Sequence, residues 1–600
     1  MTIERLLEIA VTVNPGFYLI AAAALAAMAR GSAARAVVLI GAPLLALGVL
    51  LYPPLSGAEV SRSSFLGFEL ALYRPDSLSL VFGLGFVLAA LLCGIYSLHR
   101  EDRVQDAAGL VLAGAALAAA FVGDLVSLVV FWEIVGLGSA LLVFAGRGTA
   151  EGRGAGAAGM RYLVMQMVSG LLLMAGVAMY GVHAGTFLLA ELGPLREGVL
   201  VGVFDIRAPG ALAILAGVGI KAAFPLVHNW TTDAYSSASE TGSVIVSAYT
   251  ATLAVYVLAR GFAGLEWLIW IGAAMAAFPV FFAVMENDLR KVLAYSSVNQ
   301  IGFMVCAVGI GTPLALNGAA AHAVAHIVFK GLLFMSMGAV LLRLGTTRAT
   351  ELGGLHRTMP YTTLFCLVGA ASISAFPLFA GFASKSMILS ATHAGPDLYG
   401  VWLVLLFASA GVLEHSGIKI PYFAFFSRDS GKRPAEAPFN MLLAMGLAAA
   451  LCLAIGLSPG WFYELMPYQD RAREYLALDL FTPAHILQQL QVLLFAVLAF
   501  LLLKRFRLHP PPQEGVILDA EWLWRKAAPV VLRRATPAVV VVSRHASEAG
   551  ARLSARVLGG ARQVLAPSGA VSRNFPLAAG AVWTACLLAF VVFVVMFDPL

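Results

Sequence analysis

Long apolar runs are the feature that most constrains this chain. About 16 of them approach the roughly 20 residues that a helix needs to cross a bilayer. Their approximate centres are Ala22, Ala46, Val87, Ala113, Val130, Leu171, Ile214, Ala248, Ala274, Val298, Gly331, Val368, Leu405, Gly446, Leu494 and Leu588. Because lipid offers the backbone no hydrogen bonds, the runs predict an all-α polytopic membrane protein. Composition agrees, since 60% of the 600 residues are hydrophobic and 12% are charged.

Basic residues fall mainly in alternate loops between these runs. Three such loops carry Arg147, Arg153 and Arg161; Arg343, Arg348 and Arg357; and Arg428, Lys432 and Arg433. Basic loops stay in the cytoplasm, so we expect a multi-pass protein of the cell (inner) membrane with both termini outside. The net charge of +6 then reflects topology and gives no indication of nucleic-acid binding.

Two apolar runs are interrupted beside a lysine. Lys221 lies four residues before Pro225, and Lys385 follows Pro377. Proline removes a backbone donor and frees a carbonyl, so each position predicts a broken helix. Ionisable groups within a membrane typically mark an ion or proton path. Paired broken helices in two halves of a chain indicate inverted repeats.

Glu133 lies inside another apolar run. A carboxylate there must be protonated or paired with a cation, and Lys221 is the obvious partner. A pair that opens and closes would act as a proton switch. A static ion pair that only fixes helix packing is the alternative.

His322, His326 and Lys330 follow one another at every fourth residue. This spacing places all three on one helix face, about 6 Å apart per step. Histidine relays protons through its two ring nitrogens, so the series predicts a proton wire. The alternatives are packing histidines or a metal site, which lacks a third ligand.

Polar groups in the next run leave two interpretations open. Glu414, His415 and Lys419 would either extend the path or anchor a helix end. The five cysteines are dispersed in apolar runs, and no phosphate-binding glycine loop is present. We therefore expect no cofactor and no metal, and any redox chemistry would belong to other subunits.

The chain divides into six predicted regions. They are N-terminal helices with an external hairpin near Ser61–Tyr73 (1–105), a first repeat (106–265), a second repeat (266–430), further helices (431–508), a basic amphipathic segment (509–574) and a last span (575–600). The basic segment, chiefly Glu521 to Val564, suits a helix on the cytoplasmic membrane surface or along neighbouring subunits. A poorly ordered linker is the alternative, since Pro529 and Pro537 would break any helix.

Five stretches together resemble one family. They are Phe121–Leu125 leading to Phe131–Ile134, Gly219–Pro225, Asp288–Ser297, His326–Phe334 and Gly381–Lys385. The chain resembles the proton-translocating subunits shared by complex I and Mrp-type multisubunit Na⁺/H⁺ antiporters. The stretch Lys419–Phe426 and the tail look most like the D-type homologues of the Mrp antiporters.

The resemblance implies two inverted five-helix repeats with broken helices, each holding a half-channel. Glu133 and Lys221 would take the paired roles of the first half-channel. Arg290 stands where a lysine is common, His322, His326 and Lys330 would form the central axis, and Lys385 would end the path. Many relatives carry a further lysine where Thr252 stands, so waters and Ser247 would bridge there. Candidate extensions of the path are Asp124, His228, Ser247, Thr252, Glu414, His415 and Lys419.

The sequence thus predicts an ion-translocating subunit of a larger membrane complex, embedded in the lipid bilayer with other membrane subunits. It would move H⁺ and, in one version, exchange it for Na⁺. One rival is a proton-pumping subunit of a complex I-like or hydrogenase-like redox complex. Another is the energising membrane subunit of an inorganic carbon uptake complex.

Overall fold

The computed structural model describes residues 12–52, 61–65, 68–146, 154–193, 195–394, 398–506, 519–520 and 522–530. The chain forms two units, Met1–Ile517 and Leu518–Leu600. Within the described part, 12 helices are long and apolar enough to cross a membrane. The all-α polytopic prediction is therefore confirmed, and two small hairpins are the β-structure found among these residues.

The helices of the first half are α1 (Gly16–Met28), α2 (Ser32–Leu51), α3 (Ser77–Ser97), α4 (Arg103–Phe121), α5 (Leu125–Ala145), α6 (Ala155–Ala184), α7 (Leu189–Leu192), α8 (Ala211–Lys221), α9 (Asn229–Ser237) and α10 (Glu240–Phe262). The strands are β1 (Ser61–Phe65), β2 (Phe68–Tyr73), β3 (Leu195–Arg196) and β4 (Val199–Leu200). Strands β1 and β2 pair antiparallel, as predicted for Ser61–Tyr73.

The second half continues with α11 (Glu266–Met285), α12 (Leu289–Ile310), α13 (Pro313–Leu344), α14 (Pro360–Ile373), α15 (Ala380–Ala391), α16 (Tyr399–Phe426), α17 (Phe439–Leu457), α18 (Gly460–Tyr463), α19 (Gln469–Tyr475) and α20 (Pro483–Arg505). Helix α16 contains two π-helical segments, Leu413–Ile418 and Tyr422–Phe426, and another π segment, Leu476–Leu480, follows α19. Short 3₁₀ turns occupy Ala349–Glu351, Leu355–Arg357 and Thr392–Ala394.

The predicted helix centres from Ala22 to Leu494 all lie inside these helices. The centre near Leu588, the span 575–600 and most of the basic segment lie outside the described residues. In the second unit, residues 522–530 are helical, with a π segment at Leu523–Ala527. Apolar run length was sufficient to place the helices because each run must satisfy its own backbone.

Two aspartates begin equivalent helices in the two halves. Asp124 caps α5 by accepting a bond from the Ser127 backbone, and Asp288 caps α12 by accepting one from Arg290. Each also pairs with the chain four residues beyond the next long helix, at Leu188 and Arg348 respectively. Asp288 stands beside the arginine-rich loop 345–359, whereas Asp124 stands beside the hairpin, where the Ala71 N–H donates to its carboxylate at 3.0 Å.

The two predicted helix breaks have the same local geometry. Both contain the sequence Ala-Phe-Pro-Leu, at 223–226 and 375–378. In each break the alanine and the leucine have positive φ, 62° and 71° in the first and 56° and 74° in the second. The phenylalanine N–H closes a wide turn onto the carbonyl five residues earlier, at 2.9 Å and 3.0 Å. The chain therefore leaves and re-enters a helix in the same way twice.

Three helices form the centre of the first unit. Helix α10 is buried along its whole length, and α12 and α13 are nearly so. The N-terminal helices are attached to this centre by a buried ion pair, in which the Arg35 guanidinium donates to Asp106 at 2.9 Å and to the Ser97 carbonyl at 2.8 Å. Most of the predicted path residues stand on the central helices or on helices that pack against them.

Candidate ion path

Lys221 is the last residue of α8 and is fully buried. Its ammonium donates to the Trp132 carbonyl at 2.8 Å and lies 4.1 Å from the centre of the Trp132 ring. A carbonyl and an aromatic face both stabilise a buried cation, yet one hydrogen bond leaves two of the three ammonium protons available.

The Glu133 carboxylate lies against Gly170 of α6. A Cβ at Gly170 would come within 1.4 Å of Glu133 Oε1, so only glycine leaves room for this carboxylate. Glu133 is half-buried, and no ion pair within 4.0 Å joins it to Lys221 in the part of the chain that the structure describes. The two groups are neighbours, because Lys221 binds the residue next to Glu133.

Helix α6 supplies polar groups that the sequence analysis missed. The Tyr162 hydroxyl donates to Ser139 at 2.8 Å and lies 3.4 Å from the Thr250 hydroxyl. Ser169 accepts from the Trp132 indole at 3.1 Å. Between them, the Gln166 side chain is buried with no hydrogen-bond partner among the described residues. The spacing of 162, 166 and 169 places all three on one helix face, which is the signal that could have revealed them.

Arg290 is buried where the two halves meet. Its guanidinium donates to the Ala238 carbonyl at 2.8 Å, to the Ser243 hydroxyl at 3.2 Å and to the Ser236 carbonyl. These contacts join the end of α9 to the start of α10. Because a guanidinium keeps its proton, Arg290 supplies fixed positive charge at this position.

Ser247 and Thr252 lie on α10, between the two groups of charged residues. The Ser247 hydroxyl donates to the Val244 carbonyl of its own helix at 2.9 Å. The Thr252 hydroxyl is fully buried and has no hydrogen-bond partner within the described ranges. Asp124, in contrast, caps α5 at one end of the molecule, away from these helix centres. His228 is buried just after the first break, with its ring 4.7 Å from that of Phe278.

His322 is held by a chain of amides that fixes its tautomer. Asn299 Nδ2 donates to the Ala276 carbonyl, so Asn299 Oδ1 accepts from Gln300 Nε2 at 2.5 Å. Gln300 Oε1 then faces His322 Nε2 at 3.1 Å, which must carry the proton. The other ring nitrogen, Nδ1, lies 2.9 Å from the Ser384 hydroxyl.

The Ser384 hydroxyl has two acceptors within reach. It lies 3.0 Å from the Ala380 carbonyl and 2.9 Å from His322 Nδ1. When it donates to Nδ1, the imidazole is neutral. When it donates to the carbonyl, Nδ1 is free to carry a proton and donate back to the hydroxyl. A rotation of one hydroxyl therefore accompanies protonation of His322.

The rest of the second series is buried on the same helix and its neighbour. Both ring nitrogens of His326 lack a hydrogen-bond partner in the described structure. Lys330 donates to the Leu293 carbonyl at 3.1 Å. Lys385 donates to the Ile373 carbonyl at 3.0 Å, across the second break, and lies 5.0 Å from the centre of the Phe303 ring.

The groups on α16 divide between two roles. Lys419 donates to the carbonyls of Ala283, Val284 and Glu286 at 2.9, 2.6 and 2.6 Å, so it holds the end of α11. His415 Nδ1 lies 2.9 Å from Ser416, whose hydroxyl donates to Ser296 on α12 at 2.8 Å. Glu414 lies along an apolar groove between α11, α16 and α20.

Comparison with known proteins fits this arrangement. Residues 122–413 match the family described as NADH:quinone oxidoreductase/Mrp antiporter, TM. NADH-quinone oxidoreductase subunit N of Desulforudis audaxviator is 31% identical over 421 residues, which cover 68% of this chain and 80% of that protein. The chain belongs to this family. Hydrogenase-4 component B of Escherichia coli, another relative of this antiporter-like subunit, is 29% identical over 65% of the chain.

The chain spans about two thirds or less of the first curated relatives that it matches, and 62% of hydrogenase-4 component B. Among solved structures, a chain of the Mrp complex from a Dietzia species aligns with a TM-score of 0.66 at 21% identity. That alignment covers 81% of this antiporter-like subunit and 99% of the Dietzia chain, which shows a shared fold.

Proposed function

We propose that this membrane subunit translocates protons as part of a multisubunit complex. The observation that carries the proposal is the series of buried ionisable groups along the central helices. Lys221, His322, His326, Lys330 and Lys385 are each at most 1% exposed. Such groups are costly within a membrane, and they are typical of proton relays.

The contacts favour relay over static packing. Each lysine has one protein acceptor, so protons remain that water can take. Buried polar atoms without protein partners are usually satisfied by water. Gln166, Thr252 and His326 are such positions, and they separate the better-bonded groups. Waters at these three positions would join Glu133 and Lys221 to Lys385.

The matched caps and breaks support two inverted repeats. Asp124 and Asp288 start equivalent helices from opposite sides of the molecule, and each half contains one Ala-Phe-Pro-Leu break. We place the arginine-rich loops in the cytoplasm and both termini outside, in the cell (inner) membrane. The six-region division of the chain is part of the same proposal.

The first candidate for the complex is an Mrp-type Na⁺/H⁺ antiporter, in which this chain would take the D-type role. The alignment to nearly the whole Dietzia Mrp chain supports it. A redox-driven complex is the second, favoured by the similarity to hydrogenase-4 component B. Proton flux that requires Na⁺ on the opposite side of the membrane would favour the antiporter. Flux that requires a reductant would favour the redox complex.

The test is proton flux in vesicles that contain the whole complex. Glu133→Gln and Lys221→Ala should each abolish flux, because either leaves the partner group buried without its countercharge. Glu351→Gln is the matched control, since it removes an exposed carboxylate that pairs with Arg348. Normal flux in both path variants, at normal assembly, would refute the proposal.

A further inference from the structure

A polar cavity lies beside the helix that carries Lys385. It has a volume of about 350 Å³, and its polar lining residues are Ser390, His393, Asp479, Thr482, His485 and Gln489. They come from the end of α15, the segment after α19 and the start of α20. These ends face away from the arginine-rich loops 345–359 and 427–438.

The cavity side chains are held in place and are suited to water. The His393 ring packs 5.8 Å from Trp402, and the His485 ring packs 5.6 Å from Phe382, measured between ring centres. Gln489 is 5% exposed, and its Nε2 has no hydrogen-bond partner in the described residues. A buried amide donor at the wall of a polar cavity of this size is normally satisfied by water.

One tyrosine hydroxyl connects this cavity towards Lys385. Lys385 and the cavity residue Ser390 are five residues apart on α15, so the gap is roughly 7.5 Å along the helix axis. The buried Tyr475 hydroxyl interacts with Ser386 and Ser390 in this gap. Its contacts are too loose for a regular hydrogen bond, so the hydroxyl keeps its capacity to donate and accept. Burial raises the pKa of Tyr475 above its ordinary value, so the hydroxyl stays neutral.

We propose that this cavity is the outer mouth of the path. Protons pass between Lys385 and the outer water through Ser386, Tyr475 and Ser390, and Asp479, His393 and His485 receive them there. The inference rests on the proposed function, because it assumes that Lys385 carries protons. It adds a site, its side of the membrane and a connecting residue.

Thiol labelling tests the mouth independently of transport. Gln489→Cys and Ala496→Cys lie two turns apart on α20, the first in the polar cavity and the second in the apolar groove. A membrane-impermeant cationic methanethiosulfonate reagent, added outside vesicles that hold the complex, should label Gln489→Cys at least about tenfold faster, because thiolates form in water and not in lipid. Equal labelling, or labelling from the inside only, overturns the proposal.

Transport tests the connecting hydroxyl. Tyr475→Phe removes one oxygen and should lower proton flux at least about tenfold, or 1.4 kcal/mol in the barrier. Tyr463→Phe is the control, because this neighbouring hydroxyl already donates to the Ala383 carbonyl at 2.7 Å. Normal flux in Tyr475→Phe overturns the relay. If the proposed function itself fails, Lys385→Ala will transport normally while the labelling contrast persists. If only the mouth fails, that contrast disappears while Lys385→Ala stays inactive.

Discussion

Replacing Gly170 by alanine would move the Glu133 carboxylate without altering any ionisable group. The added Cβ would stand 1.4 Å from Oε1 and 2.4 Å from Cδ of Glu133. Ordinary contacts between heavy atoms lie near 3.5 Å, so the oxygen must retreat by roughly 2 Å. Helix backbones yield less readily than the end of a glutamate side chain, and we expect the glutamate to adopt another rotamer.

The size of the effect can be bounded. A rotamer change costs about 0.5–1.5 kcal/mol, while alanine in place of a helical glycine returns about 1 kcal/mol, so folding should be nearly unaffected. Transport should suffer more, because a displacement of roughly 2 Å breaks any hydrogen bond to water or to Lys221. The attraction to Lys221 that could be lost is below about 4 kcal/mol, since the charges lie more than 4 Å apart.

The assay is proton flux in vesicles, beside the thermal stability of the purified complex. Gly170→Ala should lower flux as far as Glu133→Gln does, and the double variant should lose little more, because both act through one group. Gly331→Ala is the matched control: it is also a buried helical glycine, and its added Cβ would meet nothing within 4 Å. Full flux in Gly170→Ala, with unchanged stability, would refute the placement of Glu133 as a working part of the path.

Three further predictions follow from single contacts. Lys385→Arg should abolish flux in vesicles, because a guanidinium cannot hand on a proton; full activity would mean that Lys385 supplies only charge. Ser384→Ala should slow flux and leave assembly intact, since His322 Nδ1 loses its hydroxyl partner, and unchanged flux would exclude the hydroxyl switch. Lys419→Met should lower unfolding stability by about 1–3 kcal/mol, because three carbonyls at the end of α11 lose their donor, and thermal unfolding would show whether it does.

Topology gives one more prediction, for a segment outside the described residues. Cysteines placed at Arg544 or Arg552 should react with impermeant reagents from the cytoplasmic side alone, because the segment is basic and amphipathic. Reaction from the outside would overturn both the orientation and the proposed surface position.

Helices and breaks were predictable because their causes are local. A run of apolar residues must be helical in lipid, and Pro225 and Pro377 cannot continue a helix. The shared face of His322, His326 and Lys330 follows from helical spacing alone. Sequence could not show the amide chain through Asn299 and Gln300, because it depends on how three helices dock.

The distance between Glu133 and Lys221 shows the same limit. Two opposite charges in apolar runs predict a pair, but the side-chain rotamers and the glycine beneath Glu133 decide whether the charges touch. Arg290 is similar: its position suggested a path residue, while its contacts with the Ser236 and Ala238 carbonyls tie two helices together. Long-range contacts, rather than residue type, separate anchors from carriers.

The two breaks also bear on how the path can move. Glycine adopts positive φ at no cost, whereas a residue with a side chain is strained there by about 1 kcal/mol. The chain places alanine and leucine at these positions in both breaks, Ala223 and Leu226 and then Ala375 and Leu378. Side chains restrict the backbone to fewer conformations, so each break is a stiff elbow and not a hinge. Opening and closing near Lys221 and Lys385 must then come from side-chain rotation and water entry, while the helix axes keep their angles.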